Sequence, residues 1–498
     1  MDALSSALAY TGSVSEFFVE NFGCRAARAD GEAISAQLRS AGHCLQQAAE
    51  ADVVIVNTCS VTAEADREAR AFIRRTHRQN PQARIVVTGC YAQRAPAELA
   101  ALEGVAAVIG NSHKALAPQL VRGLLEPAHA SSTAELVQIA PANPQKSSGQ
   151  HEPSTAQAVM APPQVAVVAP PQVAQVVVDD AFAHSFLEEE QVTPGEQTRP
   201  NLKIQEGCSN HCTFCVIPAT RGPSRSLPSA TILKQVEGFI AAGGNELVLS
   251  GINLGRWGRD SASGGKHSLA WLVRKIFEET PLPRLRLSSI EPMDWNAELI
   301  GLMREYGSSR LARHVHLPLQ SGSDAVLRRM HRRYRPWHYV QKVEALLAAA
   351  GEELTLGADV MVGFPGETDA EFEETAALIR LLPFGYLHLF PFSPRPGTPG
   401  EALHATDPVA AQAMEERMAA LRALAAEKMT AHRARFVGHT LRAITLRTPA
   451  RVAALGRTAA LSENFLPMEM KGALSANQMV SVRVRGLTAE GSLEAGNE

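Results

Sequence analysis

The chain has 498 residues, which at roughly 100–200 residues per domain predicts about three domains. Its 48 Lys and Arg against 51 Asp and Glu leave a formal charge of −3, which excludes a uniformly basic surface but not local basic patches. Seven cysteines, odd and sparse for this length, exclude a short disulfide-stapled secreted scaffold and raise the question of what the thiols do.

Residues 1–20 carry no Lys or Arg, so no signal peptide is expected, and no apolar run reaches the ~18 residues of a membrane helix. The richest stretch, Val165–Val178, is broken by Pro170 and Pro171. A soluble, cytoplasmic protein without a membrane partner is expected.

In chain order, Phe17–Phe22, Val53–Asn57 and Arg84–Thr88 read as short buried strands, each followed by a helical pattern. That alternation predicts a parallel α/β domain over residues 15–126. Cys24, Cys59 and Cys90 each lie just after one of these strands, on the sheet edge where such folds form sites. Cys44 follows no strand and reads as a buried, inert thiol. Residues 127–198 are rich in Pro, Ala and Val, repeat the unit PPQVA and carry no aromatic residue before Phe182. They read as a linker.

Strand and helix alternate again over residues 199–430. Glu246–Ser250, Leu285–Ile290, Val315–Leu319, Ala358–Val362 and Tyr386–Phe390 read as strands, and five or six such units suit a full or partial β/α barrel. Val409–Arg435 reads as a long amphipathic helix. Over residues 431–492, Thr440–Thr448, Leu461–Met468 and Met479–Arg485 read as strands of a small β-barrel of the nucleic-acid-binding kind.

Residues 207–215 read GCSNHCTFC, placing Cys208, Cys212 and Cys215 in a C-x-x-x-C-x-x-C spacing. Three thiolates this close can hold three irons of a four-iron cluster and leave one iron open for an exchangeable ligand. Zinc would want a fourth ligand, and the adjacent His211 is badly spaced for it.

With this triplet and the segment Gly243-Gly244-Asn245-Glu246 before a strand, the chain resembles the radical S-adenosylmethionine (SAM) superfamily. The segments NFGCRAARADGEAI, VVIVNTCSVTAEADREAR, VVTGCYAQRAPAEL, LVLSGINLG, LSSIEPMDW, HVHLPLQSGSD, DVMVGFPGET and PFSPRPGTPG narrow the resemblance to methylthiotransferases. The resemblance implies an N-terminal three-cysteine α/β domain, a radical SAM partial β/α barrel and a C-terminal TRAM-like β-barrel. Within that family, NTCSVTAEADREAR and GCYAQ are most similar to the enzymes that modify N6-threonylcarbamoyladenosine in tRNA.

The resemblance implies two [4Fe-4S] clusters, one on Cys208, Cys212 and Cys215 that binds SAM and one on Cys24, Cys59 and Cys90 that holds or supplies sulfur. One electron would split the first SAM to give a 5′-deoxyadenosyl radical, a second SAM would supply the methyl group, and the cofactor carries the hard step. Gly243, Gly244 and Glu246, with Asn253 and Glu291 at strand ends, are expected to contact SAM or substrate; His316 and Gln320 flank Pro318 at another strand end. The implied partners are SAM, a tRNA anticodon loop and a reducing partner such as flavodoxin or ferredoxin. The implied reaction puts a methylthio group on C2 of the modified adenosine at position 37, a loop base open to splaying out.

Arg70, Arg74 and Arg75 in one patch and Arg328, Arg332 and Arg333 in another are candidates for gripping the tRNA backbone; solvated helix faces are the alternative. Where the family usually has Asn three residues after the first cysteine, this chain has Ala27. Rival readings are a methylthiotransferase acting on isopentenyladenosine or on a ribosomal protein and, from another class, an iron–sulfur redox sensor that binds tRNA. A sensor needs no SAM site, so the Gly243–Glu246 segment is read as arguing against it.

Overall fold

The computed structural model describes residues 15–125, 174–185, 192–194, 198–260, 267–307 and 309–496. Among them, no helix is long and apolar enough to cross a membrane.

The N-terminal strands are runs of β-branched residues buried on both faces, VVIVNT over Val53–Thr58 and RIVVTG over Arg84–Gly89. Such runs belong inside a parallel sheet covered on both sides. With Glu16–Asn21, Val105–Gly110 and two short outer strands they form a six-stranded sheet, parallel throughout. One outer strand, Gln175–Val177, comes from the segment read as a linker, so part of that segment belongs to the sheet. Residues 127–173 of it lie outside the described residues. The other outer strand, Cys44–Leu45, carries an exposed Cys44 and not the buried thiol expected from a helix end. The helix Ala63–Gln79 begins at Thr62, whose hydroxyl accepts from the Ala65 amide at 3.2 Å, and Glu64 and Asp66 in its first turn complement the helix dipole.

The second unit is a partial barrel. Strands Asn201–Glu206, Glu246–Gly251 and Arg284–Leu287 pair in parallel, and so do His314–His316, Thr355–Val362 and Phe384–Pro391. A parallel bridge between Leu285 and Leu311 joins the two sets. Leu202, Ile204, Leu247, Leu249, Leu285 and Leu287 face outward into one core with Val236, Phe239, Val273 and Ile276 of the covering helices. Strand alternation therefore turns Lys203, Glu246, Arg286, His314, His316, Asp359, Tyr386 and His388 toward the lumen, which is polar.

The helix Ala411–Ala434 leads to a closed barrel of five strands. The run Leu461–Met468, expected as one strand, is a hairpin instead: Arg457–Ser462 and Pro467–Lys471 pair antiparallel across a turn in which Phe465 has φ +68°. That turn docks on the amino-terminal end of the partial barrel, where the Arg286 guanidinium donates to the Ser462 carbonyl and Asn464 to the Glu353 carbonyl.

Candidate functional site: two thiol triads on one lumen

Cys24 starts the helix Arg25–Ser40, Cys59 follows strand Val53–Thr58, and Cys90 opens the helix after strand Arg84–Gly89. In-register pairing of Asn21 with Asn57 and of Asn57 with Thr88 brings the three chain turns to one point on the sheet's carboxyl edge. Gly23 and Gly89 make this closeness possible. A Cβ on Gly23 would lie 2.6 Å from Cys59 Sγ, one on Gly89 2.3 Å from the Thr58 carbonyl oxygen, and both have φ near +100°. Cys59 and Cys90 are buried and Cys24 is exposed. Burial, then the neighbouring Cys90 and Cys24, push the Cys59 thiol up to about 12. Ala27, the departure from the family pattern, is buried; its carbonyl accepts from the Asn57 amide, so this backbone anchor needs no Asn side chain there.

The second triad sits in the loop after strand Asn201–Glu206, at the carboxyl end of the barrel strands. Asn253 stands beside it, with Nδ2 3.6 Å from Cys208 Sγ. Glu291 reaches it through Arg332, which pairs with Glu291 and donates to Cys212 Sγ at 3.3 Å. Burial pushes the Cys215 thiol up to about 12 and raises that of Cys208.

Two expectations about site residues are corrected here. Gly243, Gly244 and Glu246 are at the other end of their strand. Glu246 opens strand Glu246–Gly251, whose far end pairs beside Gln205; five residues at about 3.3 Å each separate Glu246 from the triplet's end of the barrel. Glu246 is fully buried among Arg199, Arg284 and Arg286. Burial alone would raise its pKa, but Arg286, Arg199 and Arg284 outweigh it and hold the carboxyl at about 2. Asn245 bonds the Asn477 carbonyl, and Asn477 donates back to the Gly243 carbonyl, each at 2.8 Å, so the segment docks the C-terminal barrel. Glu246→Gln is therefore expected to cost about 3–5 kcal/mol, because it strands buried guanidinium charges. A lowered denaturant midpoint with unchanged SAM affinity is the expected reading; lost SAM affinity at unchanged stability would return the segment to the cofactor site.

The second correction concerns Arg332. It was expected on a tRNA-binding patch, but its side chain is only 5% exposed and points at the triplet. Arg74, Arg75 and Arg333 are exposed, Arg328 is exposed but paired with Asp324, and Arg70 is held by the Tyr91 hydroxyl and Glu98.

Asn111 and Arg221, which the sequence reading passed over, join the site. Asn111, after strand Val105–Gly110, donates to Cys90 Sγ at 3.4 Å and to the Thr220 carbonyl at 2.9 Å. Arg221, six residues past Cys215, donates from Nε to Cys90 Sγ at 3.3 Å. It thereby ties the barrel's cysteine loop to the N-terminal triad. Arg395 reaches across in the same way to Asp66 at 2.8 Å. At neighbouring strand ends, Ser289 Oγ lies 2.6 Å from His316 Nδ1, and His316 Nε2 lies 3.3 Å from Asp359 Oδ1; Ser289 and His388 are exposed.

These surroundings suit iron–sulfur clusters. N–H donors aim at Cys90, Cys208 and Cys212, which is what a thiolate sulfur accepts. The buried Arg221 Nη2 and Arg332 Nε have no partner among the described residues. Crowded thiols that burial keeps protonated become thiolates on a cationic iron core. Among the described residues, no group of His, Cys, Asp or Glu closes on a single ion position. A mononuclear site needs one; a four-iron cluster, with each thiolate on its own iron, does not.

Residues 16–110 match the pattern described as "Uncharacterized protein family UPF0004", and residues 202–379 match the Radical SAM superfamily. The threonylcarbamoyladenosine tRNA methylthiotransferase MtaB of Bacillus subtilis (strain 168) is 33% identical over 81% of this chain and 78% of its own length. The MtaB of Treponema pallidum is 32% identical over 94% and 97%. The tRNA-2-methylthio-N(6)-dimethylallyladenosine synthase of Agrobacterium fabrum is 30% identical over 85% of each chain. Among solved structures, the radical SAM methyltransferase TsrM from Kitasatospora setae superposes with a TM-score of 0.50 at 15% identity, over 75% of this chain and 72% of that one, a likeness of fold alone. SAM and [4Fe-4S] clusters are the cofactors that these matches bring. With relatives at this identity over most of both chains, this chain belongs to the radical SAM methylthiotransferase family.

Proposed function

We propose that this enzyme adds a methylthio group to C2 of N6-threonylcarbamoyladenosine at position 37 of tRNA. Cys208, Cys212 and Cys215 hold the SAM-binding cluster, and Cys24, Cys59 and Cys90 hold the second, sulfur-supplying cluster. The observation that carries the reading is the contact between Arg221 and Cys90, which couples the loop of one triad to the other triad. When bound, the barrel cofactor supplies hydrogen abstraction from an unactivated carbon, which acid–base side chains cannot do.

The protein's own residues position and enclose. Asn253 and Glu291 flank the barrel triplet and are placed to orient SAM. Ser289, His316, Asp359 and His388 line the lumen with hydrogen-bonding groups. A polar lumen favours a base whose N6 substituent carries hydroxyl and carboxylate groups over one carrying an isopentenyl chain, because the apolar chain would leave those groups unpaired. The MtaB names among the relatives point the same way. Exposed Arg74, Arg75, Arg328 and Arg333 are candidates for the tRNA backbone, and a flavodoxin or ferredoxin is the expected reductant.

Nucleoside mass spectrometry of tRNA from a strain lacking this gene and any paralogue tests the substrate. The 2-methylthio form of threonylcarbamoyladenosine is expected to vanish while its unthiolated precursor accumulates. Loss of the methylthio form of isopentenyladenosine instead would assign the chain to the substrate of its dimethylallyladenosine-named relative. Loss of neither would move the target off tRNA.

A further inference from the structure

We propose that Arg221, with the buried charge network behind it, is the counter-charge and positioning residue of the cluster held by Cys24, Cys59 and Cys90, and sets that cluster's reduction potential. The inference rests on the assignment of that triad as a cluster site, and not on the nucleoside substrate.

Five charged side chains meet between the N-terminal sheet and the barrel. Lys114 pairs with Asp30 at 2.8 Å and Glu206 at 3.0 Å; Lys203 pairs with Asp30 and with Glu206 at 2.9 Å. Arg221 pairs with Asp30 at 3.2 Å and Glu206 at 2.8 Å. Every one of these side chains is at most 4% exposed. Three cations thus face two carboxylates. Buried cations that share carboxylates are further stabilised by an anion nearby. The neighbour that the network touches is a sulfur: Arg221 Nε on Cys90.

The barrel triplet is built differently. There the arginine on the sulfur, Arg332, is matched by its own carboxylate, Glu291. The arginine on the N-terminal triad instead shares its two carboxylates, Asp30 and Glu206, with the buried Lys114 and Lys203. Cys90 and Arg221 are both buried, so water and salt screen this charge poorly. Positive charge and N–H donors at cluster sulfurs favour the reduced, more negative state and raise the potential.

The experiment uses the full chain carrying Cys208→Ala, Cys212→Ala and Cys215→Ala, reconstituted anaerobically so that only the N-terminal cluster remains. Its electron paramagnetic resonance signal is titrated against potential. Arg221→Gln is expected to move the midpoint to more negative potential. Arg221→Lys keeps the charge and is expected to restore most of the shift. Lys114→Gln, which removes a positive charge without touching a sulfur, is expected to move the midpoint the same way by less. Arg221→Gln and Lys114→Gln chains that load iron normally and keep the parent midpoint would overturn the proposal. If Arg221→Gln loads no iron, the Lys114→Gln midpoint decides alone. A parent chain with no cluster signal would overturn the cluster assignment itself, and the proposal with it.

Discussion

Cys208→Ala is expected to abolish cleavage of SAM to methionine and 5′-deoxyadenosine, measured by chromatography after reduction with dithionite. Cys208 is one of three thiols in its loop, and among the described residues no group of His, Cys, Asp or Glu closes on a single ion position that could replace it. Its sulfur accepts from the Asn210 backbone amide at 3.4 Å and from Asn253, so the surrounding groups are arranged around a thiolate. Alanine removes an iron ligand outright. The loss should therefore exceed the roughly 10–100-fold that removing an outer-shell partner costs. Retained cleavage would reject the assignment of this triplet as the SAM site.

Cys59→Ala is expected to separate the two half-reactions. SAM cleavage should persist, because the barrel triplet and its neighbours Asn253, Glu291 and Arg332 are untouched. Formation of the methylthio nucleoside should fall to background, because Cys59 lies at the centre of the other triad. It is 4% exposed, closely approached by Gly23, and electrostatically linked to both Cys24 and Cys90. The sheet should survive: strands Val53–Thr58 and Arg84–Gly89 end before the cysteines, and their cores do not use the sulfur. Sustained methylthiolation by Cys59→Ala would remove the N-terminal triad from the chemistry.

The division of the chain into two chemistries was legible because cysteine spacing is a local signal. The N-terminal strands were legible within a residue or so because sequences such as VVIVNT, buried on both faces, have few other uses. Strand Asn201–Glu206 was passed over for a physical reason: Asn201, Lys203 and Gln205 alternate inward to a polar lumen, so the run looks like surface. The Gly243–Glu246 segment shows another boundary. Its pattern was visible, but which end of a barrel strand it occupies follows from strand direction, since residues before a parallel strand lie opposite the loops that follow it. Arg332 and Arg221 read as ordinary basic residues until the fold buried each against a sulfur. The hairpin within Leu461–Met468 was hidden because the residue with positive φ, Phe465, is apolar, although Ser462 and Asn464 beside it supply turn chemistry.

The proposed function requires that two separate thiol triads each hold a four-iron cluster. Iron and acid-labile sulfide analysis of the anaerobically reconstituted full chain tests it most directly. About eight irons and eight sulfides per chain are expected from the two triads, falling to about four of each in Cys59→Ala and in Cys208→Ala. About four irons in the unaltered chain, with no further loss in one of the two variants, would contradict the claim.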